Sequence, residues 1–362
     1  MAAAATRGTF AIQVAIVSTW AAAGFGVAVA LRSRLYEDGW RAVCRAPGPV
    51  VSVGNLAFGG QGKTPLVALL ARWFLDAGAR PAVVSRGYGR RHRGPVLVSD
   101  GSGPRCSARE GGDEPVMLAR RTAAVVIADA DRVRGAQAAF REHRADVVLL
   151  DDGFQHRRLH RDLDVVVMSE PPPQLFPAGR GREPPSALAR ADVAFIIEPG
   201  WERRAEFDAL VGARAEPIHA RLEAVDHVDA SGSGARPLRE LAGRRAALLT
   251  GVARPHRVAR TLDEVGVRVV LHEVRRDHAR LSHAGRAVFS RRAAASGAEL
   301  ELTTEKDAAR WDATVAGMRA VRVELRLDLP DASRLAGVIS RTTGISLRPE
   351  GSARSEPARA ST

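Results

Sequence analysis

Cysteine is nearly missing from this 362-residue chain: Cys44 and Cys106 stand far apart and outside any metal-ligand spacing. That excludes a disulfide framework and a cysteine-held metal, and it points to a reducing compartment. Aromatic residues make up 5%, too few for a platform on which single-stranded nucleic acid would stack. No long basic block occurs, although the formal charge is +13 and the isoelectric point about 11.1. Such a balance suits phosphorylated substrates and anionic lipid as well as nucleic acid. Internal repeats are absent. The most informative shortage is lysine: of 54 basic residues, only Lys63 and Lys306 are lysines. Arginine stands wherever else a cation is wanted. A compact ammonium has been kept where a forked guanidinium does not serve, and a phosphate loop is such a place.

What is present is organised around Ala57-Phe58-Gly59-Gly60-Gln61-Gly62-Lys63-Thr64. An apolar run at 49–53 precedes it and an amphipathic segment at 65–77 follows, so the order is strand, glycine loop, helix. Backbone N–H groups of such a loop wrap phosphates, with the helix N-terminus behind them. Lys63 would reach the terminal phosphates, and the Thr64 hydroxyl would face Mg²⁺. Ala57 stands where the strict G-x-x-x-x-G-K-[ST] pattern has its first glycine, so a plain glycine-rich turn is the competing reading of these residues.

Residues 8–31 carry no charge and are bracketed by Arg7 and by Arg32 and Arg34. The stretch is about 24 residues, long enough to span a bilayer. A cleaved signal peptide and a buried globular helix are the alternatives to a membrane anchor or interfacial helix. The last is preferred, with Trp20 and Trp40 as interface residues and Arg32, Arg34, Arg41 and Arg45 facing the cytoplasm. From 49 to about 222, apolar strands alternate with helices, which predicts an α/β fold with a mostly parallel sheet covered on both faces. Strands are expected at 49–53, 81–85, 95–98, 124–128, 146–151, 163–168 and 193–197. Helices are expected at 65–77, 115–121, 131–143 and 186–190. Residues 227–243, rich in Gly, Ser, Asp and Arg, read as a linker, and a second alternating unit follows. The division is an N-terminal membrane-associated helix and basic flank (1–45), a P-loop NTPase-like domain (46–226), the linker (227–243), a smaller α/β domain (244–348) and a disordered tail (349–362).

Asp151-Asp152-Gly153-Phe154-Gln155-His156 follows an apolar strand. Two carboxylates at a strand's carboxyl end lie where open α/β sheets bind ligands, and beside a phosphate loop they would help hold Mg²⁺. Asp113 and Glu114, in Gly111-Gly112-Asp113-Glu114-Pro115, read equally as a helix N-cap with Pro115 in the first turn or as a general base with metal support. Arg86, in Ser85-Arg86-Gly87-Tyr88-Gly89, and Arg182, in the Pro/Gly-rich stretch 177–184, are candidates for anion contacts against the alternative of solvated loops. His278 follows Asp277, an arrangement that is either structural or an oriented acid/base pair. Lys306 lies in Thr303-Thr304-Glu305-Lys306-Asp307, which is either a helix start or a strand-end loop that meets the ligand across a cleft.

In this order the motifs resemble the tetraacyldisaccharide 4′-kinases, the lipid A 4′-kinases of Gram-negative bacteria. Gly59-Gly60-Gln61-Gly62-Lys63-Thr64-Pro65, Ser85-Arg86-Gly87-Tyr88-Gly89, Gly112-Asp113-Glu114-Pro115 and Asp151-Asp152-Gly153-Phe154-Gln155-His156 carry the resemblance. So do Pro177-Ala178-Gly179 with Arg182-Glu183-Pro184, Asp277-His278 and Thr304-Glu305-Lys306-Asp307. The family's phosphate loop also lacks the first glycine. The resemblance implies transfer of the γ-phosphoryl of ATP to the 4′-hydroxyl of a tetraacyldisaccharide 1-phosphate, yielding lipid IVA, at the cytoplasmic face of the bacterial inner membrane. By the same resemblance Asp113 is the candidate base, assisted by His278, and Lys63 and Thr64 bind phosphate and Mg²⁺. Glu114, Asp151, Asp152 and Gln155 are candidates for the metal shell, and Arg182 for the substrate, to which the loop reading adds Arg86. Three places depart from the family pattern: Arg180-Gly181 for a common Pro-Leu, Gly251-Val252-Ala253-Arg254-Pro255 for Gly-Ile-Gly-Asn-Pro, and Ala279 for a second His. The rival expectations are another P-loop kinase with a small soluble substrate and a basic nucleic-acid-binding NTPase. Scattered arginines without a reader helix disfavour the latter, so no nucleic-acid partner is expected.

Overall fold

The computed structural model describes residues 2–197, 204–277 and 279–349, with the backbone alone at 2–17 and 214. The tail expected from 349 onward thus lies outside the described residues, apart from Pro349. The chain opens with helix α1 (Ala2–Glu37), then strand β1 (Val50–Gly54) and α2 (Lys63–Asp76). Strands β2 (Pro81–Ser85) and β3 (Val96–Asp100) lead to α3 (Ala108–Gly111), α4 (Asp113–Arg121), β4 (Val125–Ala128) and α5 (Arg132–Arg141). Strands β5 (Val147–Asp151), β6 (Leu163–Met168) and β7 (Val193–Ile197) follow, then α6 (Arg204–Val211). The chain continues with β8 (Glu216–Asp229), β9 (Arg236–Pro237), β10 (Arg245–Thr250), α7 (Pro255–Glu264) and β11 (Arg268–Val274). It closes with α8 (His283–Ala295), β12 (Leu300–Thr304), α9 (Glu305–Trp311), β13 (Arg319–Arg326) and α10 (Leu329–Thr343).

The strands form one sheet in the order β11-β10-β12-β13-β8-β7-β6-β1-β5-β2-β4-β3, with β9 beside β8. Pairing is parallel except at β3–β4, β8–β13 and β8–β9. Strand β1 lies between β5 and β6, so the strand order reverses there and opens a crevice at the carboxyl edge. Alternate residues feed opposite faces. Val51, Val53 and Leu149 pack with Leu66, Leu70 and Phe74 of α2, while Val50, Val148 and Leu150 pack with Val133, Ala136 and Ala139 of α5. That double burial is why these strands read as continuous apolar runs.

The stretch read as a linker is ordered structure: it holds the end of β8, β9 and a 3-10 turn at Leu238–Leu241 whose two leucines are buried. Strand β8 pairs parallel with β7 through Glu216–Ala220 and antiparallel with β13 through Arg221–Asp229. The pairing slips at Val225, so β8 serves different packing groups along its length: Ile218 and Ala220 join one core and Val228 another. No single alternation survives that change, which hides the strand in the sequence. The expected helix at 186–190 is a 3-10 helix, Pro185–Arg190, and α6 was not anticipated.

Helix α1 covers the uncharged segment. Among the described residues, no helix is long and apolar enough to cross a membrane. Its C-terminal half docks through polar contacts. Arg157 donates to the Ser33 carbonyl (3.2 Å) and to Glu37 (3.0 Å), and Arg190 donates to the Ser33 hydroxyl (3.1 Å). Trp20, Val27 and Leu31 stay exposed, as does Trp40 just beyond the helix.

Candidate active site

The glycine loop leaves β1 at the crevice, and α2 starts at Lys63 with Gly62 as its N-cap. Gly62 has φ 91°, and a Cβ there would lie 2.4 Å from Ile197 Cδ1, so glycine is required on both counts. The loop is braced from outside: Asn55 Nδ2 donates to the Ala57 carbonyl (2.7 Å), and Phe58 N–H donates to the Arg180 carbonyl (2.7 Å). Phe58, Gly59 and Gly60 are exposed, Gln61 is buried, and Lys63 and Thr64 are partly exposed in the first turn of α2. Backbone N–H groups without intrahelical partners therefore gather beside a lysine, which is the chemistry of an anion site.

Lys63 Nζ lies 3.3 Å from Asp152 Oδ1, and Arg182 holds both oxygens of the same carboxylate at 2.8 and 3.1 Å. Burial alone would raise the Asp152 pKa, but Lys63 and Arg182 outweigh it and hold the group well below the usual carboxylate range. Asp152 has φ 58°, a conformation uncommon outside glycine. Asp151, its neighbour, is in the opposite state. It is fully enclosed and pushed up to about 7, first by burial and then by the charge of Glu114. Its Oδ2 accepts from the Ser85 hydroxyl (3.1 Å), while its Oδ1 is buried without a hydrogen-bond partner. Gln155 donates through Nε2 to the Asn55 carbonyl (2.8 Å), and its Oε1 is likewise buried and unpartnered.

These oxygens fit Mg²⁺. A hard cation beside Asp151 Oδ1 would satisfy a buried acceptor and relieve the repulsion between Asp151 and Glu114. Mg²⁺ usually takes one or two carboxylates together with phosphate oxygens and water. No group of three metal-binding His, Cys, Asp or Glu side chains occurs among the described residues. Asp152, engaged by two cations, is placed to orient Lys63.

Asp113 and Glu114 open α4. Gly112, not Asp113, takes the N-cap, so the capping alternative does not hold; Gly112 has φ 96°, and a Cβ there would lie 2.8 Å from Gly87 Cα. The two glycine-bearing loops thus meet backbone to backbone. Asp113 Oδ2 accepts from Arg310 Nε (3.1 Å) and Nη2 (2.9 Å), and Oδ1 accepts from the Glu114 N–H (3.1 Å). Glu114 pairs with Lys306 Nζ at 2.9 Å. Burial works against the Lys306 ammonium, but Glu114 and then Asp113 more than offset it and raise its pKa. Arg310 Nη2 lies 3.9 Å from Asp277. His278, the neighbour of Asp277, lies outside the described residues.

Some placements escaped the sequence reading. Arg132 is 4% exposed, and its guanidinium feels Asp152 and Asp151; burial lowers it to about 10. Arg86 is exposed and repels Arg132. Arg310 sits four residues after Lys306, one helical turn on, and that spacing was the available signal. The structure brings Lys63, Asp151, Asp152 and Arg182 to one crevice, with Asp113, Glu114 and Lys306 linked to it through Glu114.

A glycine loop ahead of a helix, its lysine against a strand-end carboxylate, defines a phosphotransferase fold of the P-loop kind. The family described as tetraacyldisaccharide-1-P 4′-kinase matches residues 15–343, and the chain belongs to that family. It is 41% identical over 322 residues to the tetraacyldisaccharide 4′-kinase of Anaeromyxobacter dehalogenans (strain 2CP-C), covering 85% of each chain. The enzyme of that name from Syntrophus aciditrophicus (strain SB) is 38% identical over 320 residues, covering 83% of this chain and 84% of that one. Among solved structures, the "apo" form of LpxK from Aquifex aeolicus in complex with ATP superposes with a TM-score of 0.74 at 28% identity. That match covers 88% of this chain and 96% of the other. The chain is accordingly a kinase, and its family's substrate is a lipid A precursor.

Proposed function

We propose that the chain transfers the γ-phosphoryl of ATP to the 4′-hydroxyl of a tetraacyldisaccharide 1-phosphate. The observation that carries the reading is the pairing of Lys63 with Asp152 at the crevice, where the enclosed Asp151 feels the charge of Lys63 and of Glu114. Phosphoryl transfer asks the protein for positioning and charge neutralisation more than for covalent help. The loop N–H groups and Lys63 bind the donor's phosphates. Thr64, Asp151 and Glu114 would hold Mg²⁺, which neutralises charge on those phosphates. Asp113 takes the proton of the acceptor hydroxyl. Its two hydrogen bonds from Arg310 fix it in place, and His278 assists. Arg182 positions Asp152 in the structure and lies beside Phe58, 5.5 Å from its ring centroid, where it can also meet an acceptor phosphate.

The acyl chains call for an apolar surface near this crevice. Helix α1 supports that: Phe25 packs edge-on to Phe176, which packs on Phe58 of the phosphate loop, at centroid distances of 6.0 and 6.1 Å. The exposed Trp20, Leu31 and Trp40 and the arginines of the flank suit an interfacial position on anionic lipid at the cytoplasmic face of the inner membrane. The test is transfer of labelled phosphate from ATP to the disaccharide 1-phosphate, with Mg²⁺ in detergent micelles. Folded protein that gives no 4′-phosphorylated product sinks the reading. Transfer to small soluble alcohols instead would favour the rival kinase.

A further inference from the structure

Glu170, just past β6, gathers contacts from three parts of the chain. Gln61 Nε2 donates to its Oε1 (3.2 Å), and Arg180 Nη2 donates to the same oxygen (2.6 Å). Arg254 Nη2 lies 2.9 Å from its Oε2. Next to it, Ser169 donates to Gln61 Oε1 through both its N–H (3.1 Å) and its hydroxyl (2.7 Å), and Arg254 Nη1 reaches that hydroxyl at 3.3 Å. Arg180 braces the glycine loop a second time, through its carbonyl on Phe58. Arg254 belongs to the other half of the molecule, where it precedes α7. Positions 180 and 254 are two of the places at which this sequence departs from the family pattern, and both side chains end on one carboxylate.

We infer that Glu170 is a positioning residue that couples the second half of the chain to the phosphate loop. Gln61 sits between Gly60 and Gly62, neither of which offers a side chain to anchor the loop. Its amide, buried and held at both ends, therefore fixes the middle of the loop. Glu170 holds that amide, and the two arginines hold Glu170. Arg254 and Glu170 are partly buried, at 16% and 30% side-chain exposure, so solvent screens their pairing only partly. Movement of the α7 end would be felt at Gln61 without any contact between Arg254 and the nucleotide. The inference rests on the phosphate-loop reading of residues 57–64.

The full chain in detergent is compared as wild type, Glu170→Gln, Arg254→Ala, Arg254→Lys, the Glu170→Gln/Arg254→Ala double variant and Lys63→Met. Glu170→Gln keeps the size and shape of the side chain, so it tests charge without opening a cavity. Expected is a rise in KM for ATP of about tenfold in Glu170→Gln and in Arg254→Ala, with smaller changes in kcat and in acceptor KM. Amide hydrogen exchange across residues 57–64 quickens in both. Arg254→Lys restores part of the loss, and the double variant is no worse than Glu170→Gln. Unchanged ATP KM and unchanged exchange, with only a lowered melting temperature, would reduce the cluster to an ordinary stabilising salt bridge and overturn the inference. A rise confined to acceptor KM would overturn it too, by making Arg254 a lipid contact. Wild-type ATP affinity in Lys63→Met would instead refute the phosphate loop itself. Loss of ATP binding there, with Glu170→Gln unaffected, refutes the coupling alone.

Discussion

Asp151 and Asp152 are neighbours in sequence and opposite in condition. Lys63 and Arg182 keep Asp152 ionised, while burial and Glu114 push Asp151 to about 7. On the proposed function, adjacent carboxylates separated in this way would take different tasks: Asp152 would orient the phosphate lysine and Asp151 would be left to meet a cation. Asp113 is held on both oxygens, Oδ2 by Arg310 and Oδ1 by the Glu114 N–H, a geometry that would fix the carboxylate of the proposed base. Asp113→Asn should lower kcat by about two to four orders of magnitude, the usual worth of a positioned acid or base, with ATP affinity within a few-fold of wild type. Steady-state kinetics beside equilibrium ATP binding checks this; loss of affinity instead would move Asp113 to nucleotide binding. Lys63 could be singled out from the scarcity of lysine alone. Arg132 and Glu170 could not, because arginine and glutamate are common here and only the fold shows which of them are enclosed; Arg310 was marked only by its place one helical turn after Lys306.

At the scale of elements, the turn into α2 and the long strand β8 carry the most consequence. Gly62→Ala forces a side chain into a left-handed backbone and onto Ile197. The expected cost is about 1–3 kcal/mol of stability with a weakened ATP site, read by chemical denaturation and by ATP titration. In β8, His227 is buried; burial first, and then the charge of Arg319, lowers its pKa below its ordinary 6.5. Its Nδ1 lies 3.3 Å from Arg319, and its Nε2 is buried without a partner. As pH falls through 6.5 the unfolded chain takes up a proton that the folded chain refuses, so stability drops toward acid. Between pH 7.5 and 5.5 the melting temperature of His227→Gln should gain on that of wild type as pH falls, a difference in which the opposite trend from the raised Asp151 cancels. The apolar runs of β1, β5, β6 and β7 were legible because both of their faces are buried. Strand β8 was not, because its pairing slips at Val225 and its sides meet different cores.

At the scale of the molecule, ion pairs stitch α4 to the second half. Arg121, 2% exposed, lies 3.4 Å from Glu305 and 3.5 Å from Glu324, and it donates to the Val323 carbonyl at 2.6 Å. Arg120 reaches Asp312 (2.8 Å) and the Ala230 carbonyl (3.1 Å). Glu305 keeps Arg322 and Glu324 keeps Arg72, so Arg121→Met removes one member of a buried network without stranding a charge and should cost about 1–3 kcal/mol in urea unfolding. Helix α10 carries Leu335, Ala336 and Ile339 into the same core as Leu66 and Phe74. The two halves therefore share buried surface as well as charge, and displacement of one against the other is resisted at α4, α9 and α10 together.

The sequence by itself determined the alternating strand and helix pattern, the phosphate loop and the carboxylate pair at the end of β5. Those features are local: a strand buried on both faces, a turn that needs glycine and a strand exit each leave their mark within a few residues. Tertiary structure decided the rest. It set Asp151 apart from Asp152 by closing Lys63 and Arg182 on one of two enclosed carboxylates, set Arg310 on Asp113 and Lys306 on Glu114, and joined Arg180, Arg254 and Gln61 at one carboxylate. Each of those contacts depends on charges far apart in the chain being brought out of water together, and burial is a property that no short stretch of sequence contains.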